Sequence, residues 1–218
     1  MTLEVLTNDA LALSDTELDE MAEMGGAFDI GGLSKAAQDW VLVTTARYNN
    51  KLVGFTFCTL ERIGGTPCVL LGLMSVRRDS RRDTVLRGLM SEAYHRALMA
   101  FPDEDVVVGS RFVDAGALVA FKDLDDLTPD PAKRAVGEDR AWGRRLAKRF
   151  GVDANYDEKT FTVRRDGREG FIDFETTKPD KVPAKMAALF DTVPAAKGGC
   201  LIVFGWTMAE DLVKLGRR

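Results

Sequence analysis

The stretch Cys68-Val69-Leu70-Leu71-Gly72-Leu73-Met74-Ser75-Val76 constrains this chain more than any other. It runs nine residues without a charge and then opens at once into Arg77-Arg78-Asp79-Ser80-Arg81-Arg82-Asp83-Thr84-Val85-Leu86-Arg87. A strand apolar at nearly every position is buried on both faces and so lies inside a sheet. After the arginines, Val85, Leu86, Leu89, Met90, Ala93, Ala97 and Leu98 recur at helical spacing up to Phe101-Pro102. Val106–Ser110 is again a buried strand. A strand, a helix and a strand in that order imply a right-handed parallel crossover.

Upstream, the pattern is antiparallel. Val41–Arg47 and Leu52–Leu60 read as strands about Asn49-Asn50, and Gly64–Pro67 turns the chain into Cys68–Val76. Ser14 with Glu17 three residues on is a capping-box start for a helix over about 15–24. Gly25-Gly26 stops it, and a second helix is expected over about 34–39, after Gly31-Gly32. Downstream, about 112–133 is irregular and reads as an insertion. A helix is expected over Asp139–Arg149, strands at about 159–165 and 170–176 around an Arg165-Asp166-Gly167 turn, a helix over Pro183–Val193, and a last strand over Cys200–Met208. The expected organisation is one α/β domain over 1–218, with a central mixed sheet flanked by helices and a C-terminal helix–strand extension at about 183–208.

Charge bounds the partners. The net charge is −4, against the strongly basic balance of a nucleic-acid coat. Residues 1–40 carry nine acids against Lys35 alone, whereas 133–149 carry seven bases against Glu138 and Asp139. No apolar stretch approaches the ~20 residues of a membrane span, and the acidic N-terminus lacks the form of a signal peptide. Three scattered cysteines, Cys58, Cys68 and Cys200, fit reduced thiols in a cytoplasmic protein. A single His and dispersed Cys make no recognisable metal site, and Ser91 with His95 lacks an orienting carboxylate.

A buried strand feeding a helix N-terminus aims backbone N–H groups and the positive end of the helix dipole at one point, which suits phosphate. The clustered arginines add charge for a polyanion. With the order of elements, this junction resembles that of the GCN5-related N-acetyltransferases over about residues 1–176. Within the resemblance, Val76–Leu86 matches the exit of the family's fourth strand and its Arg/Gln-x-x-Gly-x-Gly/Ala loop, with Arg81 at the basic position. Trp142–Gly151 matches the family's last helix. Thr84 and Leu86 stand at the two loop glycines, and Ala147 at the usual tyrosine acid.

The resemblance implies an α/β N-acyltransferase that takes acetyl-CoA as co-substrate and needs no metal. Backbone groups of Met74 and Val76 would face the thioester and pantetheine arm. Arg81, Arg82, Asp83, Thr84, Val85, Leu86 and Arg87 would form the donor loop, with Asp83 placed as a helix N-cap. For proton transfer the chain offers Glu61 at the end of the second strand, Asp114 after the fourth, and Tyr156 beyond the last family helix. The implied partners are an acyl-CoA donor and a primary amine of a small molecule or protein. The acidic first forty residues favour a cationic acceptor. A homodimer is compatible with this reading. The rival is a catalytically weak or inactive protein of the same fold that serves as a binding or assembly module. Transfer from a charged tRNA, hinted at by 133–149, is a third.

Overall fold

The computed structural model describes residues 2–24, 28–164, 172, 181–193 and 198–216. Its elements are β1 (Leu3–Asp9), α1 (Asp15–Glu23), α2 (Ile30–Asp39), β2 (Leu42–Tyr48), β3 (Lys51–Ile63), β4 (Thr66–Val76), α3 (Arg82–Ala100), β5 (Val106–Phe112), β6 (Asp125–Thr128), α4 (Gly137–Arg149), β7 (Tyr156–Asp157), β8 (Thr162–Val163), α5 (Ala184–Ala187), β9 (Cys200–Thr207) and α6 (Ala209–Leu215). They build one mixed sheet of order β1-β2-β3-β4-β5-β9-β8-β7, with β6 also on β9. Neighbours are antiparallel except β4 and β5.

The meander forms as its turns demand. Asn49 and Asn50 both hold positive φ, 49° and 64°, as a two-residue hairpin requires. Gly64 and Gly65 do so at the next turn. Ser14 and Glu17 cap α1 reciprocally. Helix α2 begins earlier than the Gly31-Gly32 pair suggests. Asp29 is its N-cap and accepts from Gly32 N at 2.7 Å, so both glycines sit in a capped first turn.

The helices cover opposite faces. On one, Leu18, Met21, Leu33 and Ala36 pack on Val43, Phe55 and Phe57. On the other lies α3, whose Val85 and Leu89 come so close to Gly54 that a Cβ there would stand 2.6 Å from Val85. Residues 112–133 are more than a surface loop. They hold a 3₁₀ segment, Ala115–Phe121, with six of its seven residues buried, and Phe112 meets Phe121 edge to face at 5.0 Å. Likewise β9 is central, between β5 and β8. Four of the described elements have no counterpart in the sequence reading, β1, β6, β7 and α6. The expected 159–165 strand is limited to Thr162–Val163. The expected Arg165–Gly167 turn lies outside the described residues, as does the 170–176 strand apart from Ile172.

One ion pair ties α1 to the sheet. Arg47 donates to both oxygens of Glu20, at 3.0 and 2.7 Å, and Leu52 N donates to the same carboxylate at 3.0 Å. The Arg47 hydrogen bonds hold the Glu20 carboxyl below its ordinary value, against a smaller desolvation effect. A lowered folded value means stability present above the unfolded pKa and lost as pH falls through the folded one. Wild type should therefore exceed Glu20→Gln in stability most above pH ~4.5, with the gap closing as acid is added. Urea melts of both proteins across pH 2–7 check this.

Candidate functional site

The site is a break in the sheet. The β4–β5 ladder pairs Cys68 with Val107, Val69 with Val108 and Leu70 with Gly109, then stops. Beyond that point β4 continues on β3 as far as Gly54↔Val76, and β5 continues on β9 as far as Phe112↔Leu201. The two parallel strands thus part while each keeps its outer partner. Ser110 marks the fork, its Oγ donating to the Leu71 carbonyl at 2.8 Å, so the first β4 carbonyl past the ladder is met by a side chain.

A β-bulge sits at the same place. Thr56 pairs with Met74 and Cys58 with Leu71, so Phe57 alone opposes Gly72 and Leu73. The extra residue on β4 leaves the ladder locally unpaired and re-aims the backbone. Gly72 is required there. A Cβ would stand 2.3 Å from the Trp40 ring, which comes from the end of α2. A glycine inside an apolar strand is the one sequence signal of such a close approach.

At the C-terminal end of β4 the chain enters α3. Its N-cap is Arg81, without a side-chain cap bond. This corrects the expected place of Asp83, which is the second helical residue. Its exposed carboxylate accepts from Arg82 Nε at 3.0 Å and Nη2 at 2.8 Å. Arg81 pairs with Asp79 and lays its guanidinium over the Tyr48 ring at 4.6 Å. Arg77 Nη2 donates to the Leu52 carbonyl. Thr84 and Arg87 are exposed, while Val85 and Leu86 are buried. Asp83, Leu86, Arg87, Ser91, Tyr94, Lys122 and Lys214 line a cleft of about 440 Å³ along α3, closed by the 3₁₀ segment and α6. Ser91 Oγ donates to the Leu215 carbonyl, which docks α6 on α3. Burial pushes the Tyr94 phenol well above its ordinary value, so it stays neutral.

The three proton-transfer candidates are not brought together. Glu61 pairs in register with Cys68, where the β4–β5 ladder is intact. That is six residues from Met74, about 20 Å along the strand. Its Oε1 accepts from Arg149 Nε at 2.5 Å and ties β3 to the end of α4. Tyr156 lies on β7, four strands from β4 and so about 20 Å across the sheet. Its hydroxyl rests on Gly143 of α4, with no hydrogen-bond partner among the described residues, and desolvation raises its pKa. Asp114 alone stands at the mouth of the fork, two residues past Phe112, but its carboxylate accepts from Gly116 N at 2.7 Å. Ala147 is in the core. Tyr156→Phe removes an unsatisfied hydroxyl and nothing else. It should leave the melting temperature unchanged or slightly raised and have no effect on any transfer reaction, as calorimetry and kinetics would show.

Arg111 is another residue the sequence reading passed over. It is 1% exposed on β5 just past the ladder, with its guanidinium over the Phe150 ring at 5.3 Å. A larger cleft, about 810 Å³, lies where the ladder is intact, lined by Asp105, Trp142, Trp206 and the start of α4. Three of its six carboxylates have structural tasks: Asp105 accepts from Ala209 N, Asp130 from Ala132 N and Asp139 from Val136 N. Cys58, Cys68 and Cys200 are free and buried, and burial pushes the Cys58 and Cys68 thiols up to about 12. Among the described residues no group of three or more His, Cys, Asp or Glu side chains could hold a metal ion, and no helix is long and apolar enough to cross a membrane.

Comparison with solved structures returns acetyltransferases. The ribosomal-protein-S18-alanine N-acetyltransferase from Escherichia coli matches with TM-score 0.41 and 11% identity, over 58% of this chain and 83% of that one. An acetyltransferase of the GNAT family from Streptococcus pneumoniae matches with TM-score 0.37 and 11% identity, over 60% and 91%. A GCN5-related N-acetyltransferase from Kribbella flavida matches with TM-score 0.35 and 14% identity, over 98% of this chain and 67% of that one. No protein-family model and no curated protein matches the sequence.

Proposed function

We propose that this chain is an acyl-CoA-dependent N-acyltransferase that moves acetyl from acetyl-CoA to a primary amine of a small molecule or protein. The observation that carries this reading is the fork between β4 and β5, with a bulge at Gly72–Leu73 and a helix N-terminus at its open end. A thioester arm rich in amide groups pairs with a strand edge as a peptide would. The N-terminal turn of α3, with Arg87, Lys122 and Lys214 along the adjoining cleft, suits the pyrophosphate and nucleotide phosphates.

The reaction asks little of side chains. The neutral amine attacks the thioester carbonyl carbon, a C–N bond forms, and charge gathers on oxygen. Backbone N–H groups freed by the bulge would stabilise that oxyanion, which favours Gly72 and Leu73 over Met74 for the role. The C–S bond then breaks. A thiolate, whose conjugate acid has a pKa near 8.5, leaves without strong acid help, and the amine proton passes to solvent or to Asp114 at the mouth. The nine acids of residues 1–40 favour a cationic acceptor.

A binding module is the second reading, favoured by the placement of Glu61 and Tyr156 far from the fork and by the buried Ala147. Acetyl-CoA should raise the melting temperature under either reading, since a ligand bound only by the native state stabilises it. Release of CoA in a screen of polyamines, aminoglycosides and lysine peptides at pH 7–9 supports the enzyme. Binding without release above background supports the module, and no binding at millimolar acetyl-CoA defeats both.

A further inference from the structure

The fork already holds a residue of the chain itself. Ile172 forms a parallel bridge with Met74. One edge of Met74 is taken by Thr56 of β3, so Ile172 must lie on the other, the edge that faces β5 across the fork. The contact is dry, with Met74 at 0% and Ile172 at 1% exposure. No ladder of β5 reaches this level, because the β4–β5 pairing ends at Leu70↔Gly109.

We propose that the inner edge of β4 is a strand-addition site and that Ile172 holds it in the free protein, in competition with the acyl-CoA arm. The inference rests on the donor reading above. A strand edge offers one row of N–H and C=O groups and accepts one extended partner at a time. A donor arm passing Met74 needs the backbone groups and the apolar volume that Ile172 takes up. Donor affinity is then reduced by the fraction of molecules in which Ile172 has left.

Ile172→Ala and Ile172→Asp weaken the contact in different ways, by lost apolar area and by a charge that resists burial beside Met74. Ile172→Val keeps both shape and polarity. Calorimetric titration with acetyl-CoA should give at least about tenfold tighter binding for the Ala and Asp variants than for wild type, with Val like wild type. Thermal melts establish that each variant is folded, and Ala alone suffices if Asp is not. Equal or weaker binding by a folded Ala variant overturns the competition and leaves the donor reading standing. Absence of binding by wild type and every folded variant at millimolar acetyl-CoA overturns the donor reading and the competition with it. Hydrogen exchange distinguishes the cases without a donor. The Leu73–Ser75 amides should exchange faster in Ile172→Ala than in wild type, and unchanged exchange would show that Ile172 does not guard this edge.

Discussion

Gly72→Val is expected to cost about 1–3 kcal/mol of stability and at least about a hundredfold in any transfer reaction. A Cβ at this position would overlap Trp40 at 2.3, 2.6 and 2.7 Å from three ring atoms, and a branched side chain adds more. The indole is a rigid plane at the end of α2, so it must move as a whole. The backbone must move with it, because Gly72 is one of the two β4 residues that face Phe57 in the bulge. A shift of about 1 Å in groups that position a thioester is worth roughly two orders of magnitude in rate. Gly72→Ala should show the same signs at smaller size. Trp40 fluorescence should change in both variants, though Trp142 and Trp206 add a constant background. If Gly72→Val keeps wild-type stability and an unchanged indole signal, the close approach is not as described.

Arg96→Ala is expected to cost about 2–3 kcal/mol. The reason is Glu92, which is 1% exposed on α3 and receives Arg96 Nε at 3.0 Å and Thr7 Oγ1 at 3.0 Å. Thr7 is in turn bonded to Thr44 at 2.8 Å. This chain of polar groups lies between α3 and the paired strands β1 and β2, where loss of the Arg96 bond leaves a buried carboxylate less well compensated. Arg96 is 44% exposed, which places the expected loss below that of a fully buried pair. In a chain of this size the loss corresponds to a fall in melting temperature of about 4–12 °C. The double variant Glu92→Gln/Arg96→Ala should lose less than the two single variants together, since it leaves no buried charge. Strict additivity would mean that the pair does not interact.

The core of the fold was legible because its signals are local. The Cys68–Val76 run, the asparagine turn and the period of α3 each depend on neighbours in sequence. Strand β1 was missed because Leu3-Glu4-Val5-Leu6-Thr7 alternates weakly, and half of it is exposed at a sheet edge. Helix α6 was missed because its seven residues gain their stability from packing on α3, where Gly216 abuts the His95 backbone. The passage from a buried strand into a helix could be read from Val76–Arg87, but the fork and the bulge could not. Both are matters of register between strands far apart in sequence, and register leaves no trace in a single chain except at Gly72. Proton-transfer candidates fared differently for the same reason. Glu61 and Tyr156 were chosen for their chemistry and their closeness in sequence to family elements, and the sheet order then sets them far from Met74. Ile172 had no local mark at all, since any apolar residue at the right tertiary position would serve.

The central claim is that the β4–β5 fork and the start of α3 form one donor site. It is tested most directly by titrating acetyl-CoA into the isotopically labelled chain and following backbone amide resonances. Saturable shifts are expected at Leu71–Val76, at Arg82–Arg87 and at Ile172, with little change around Trp142 and Trp206. Shifts centred on the Trp142–Trp206 cleft, or none at millimolar acetyl-CoA, would contradict it.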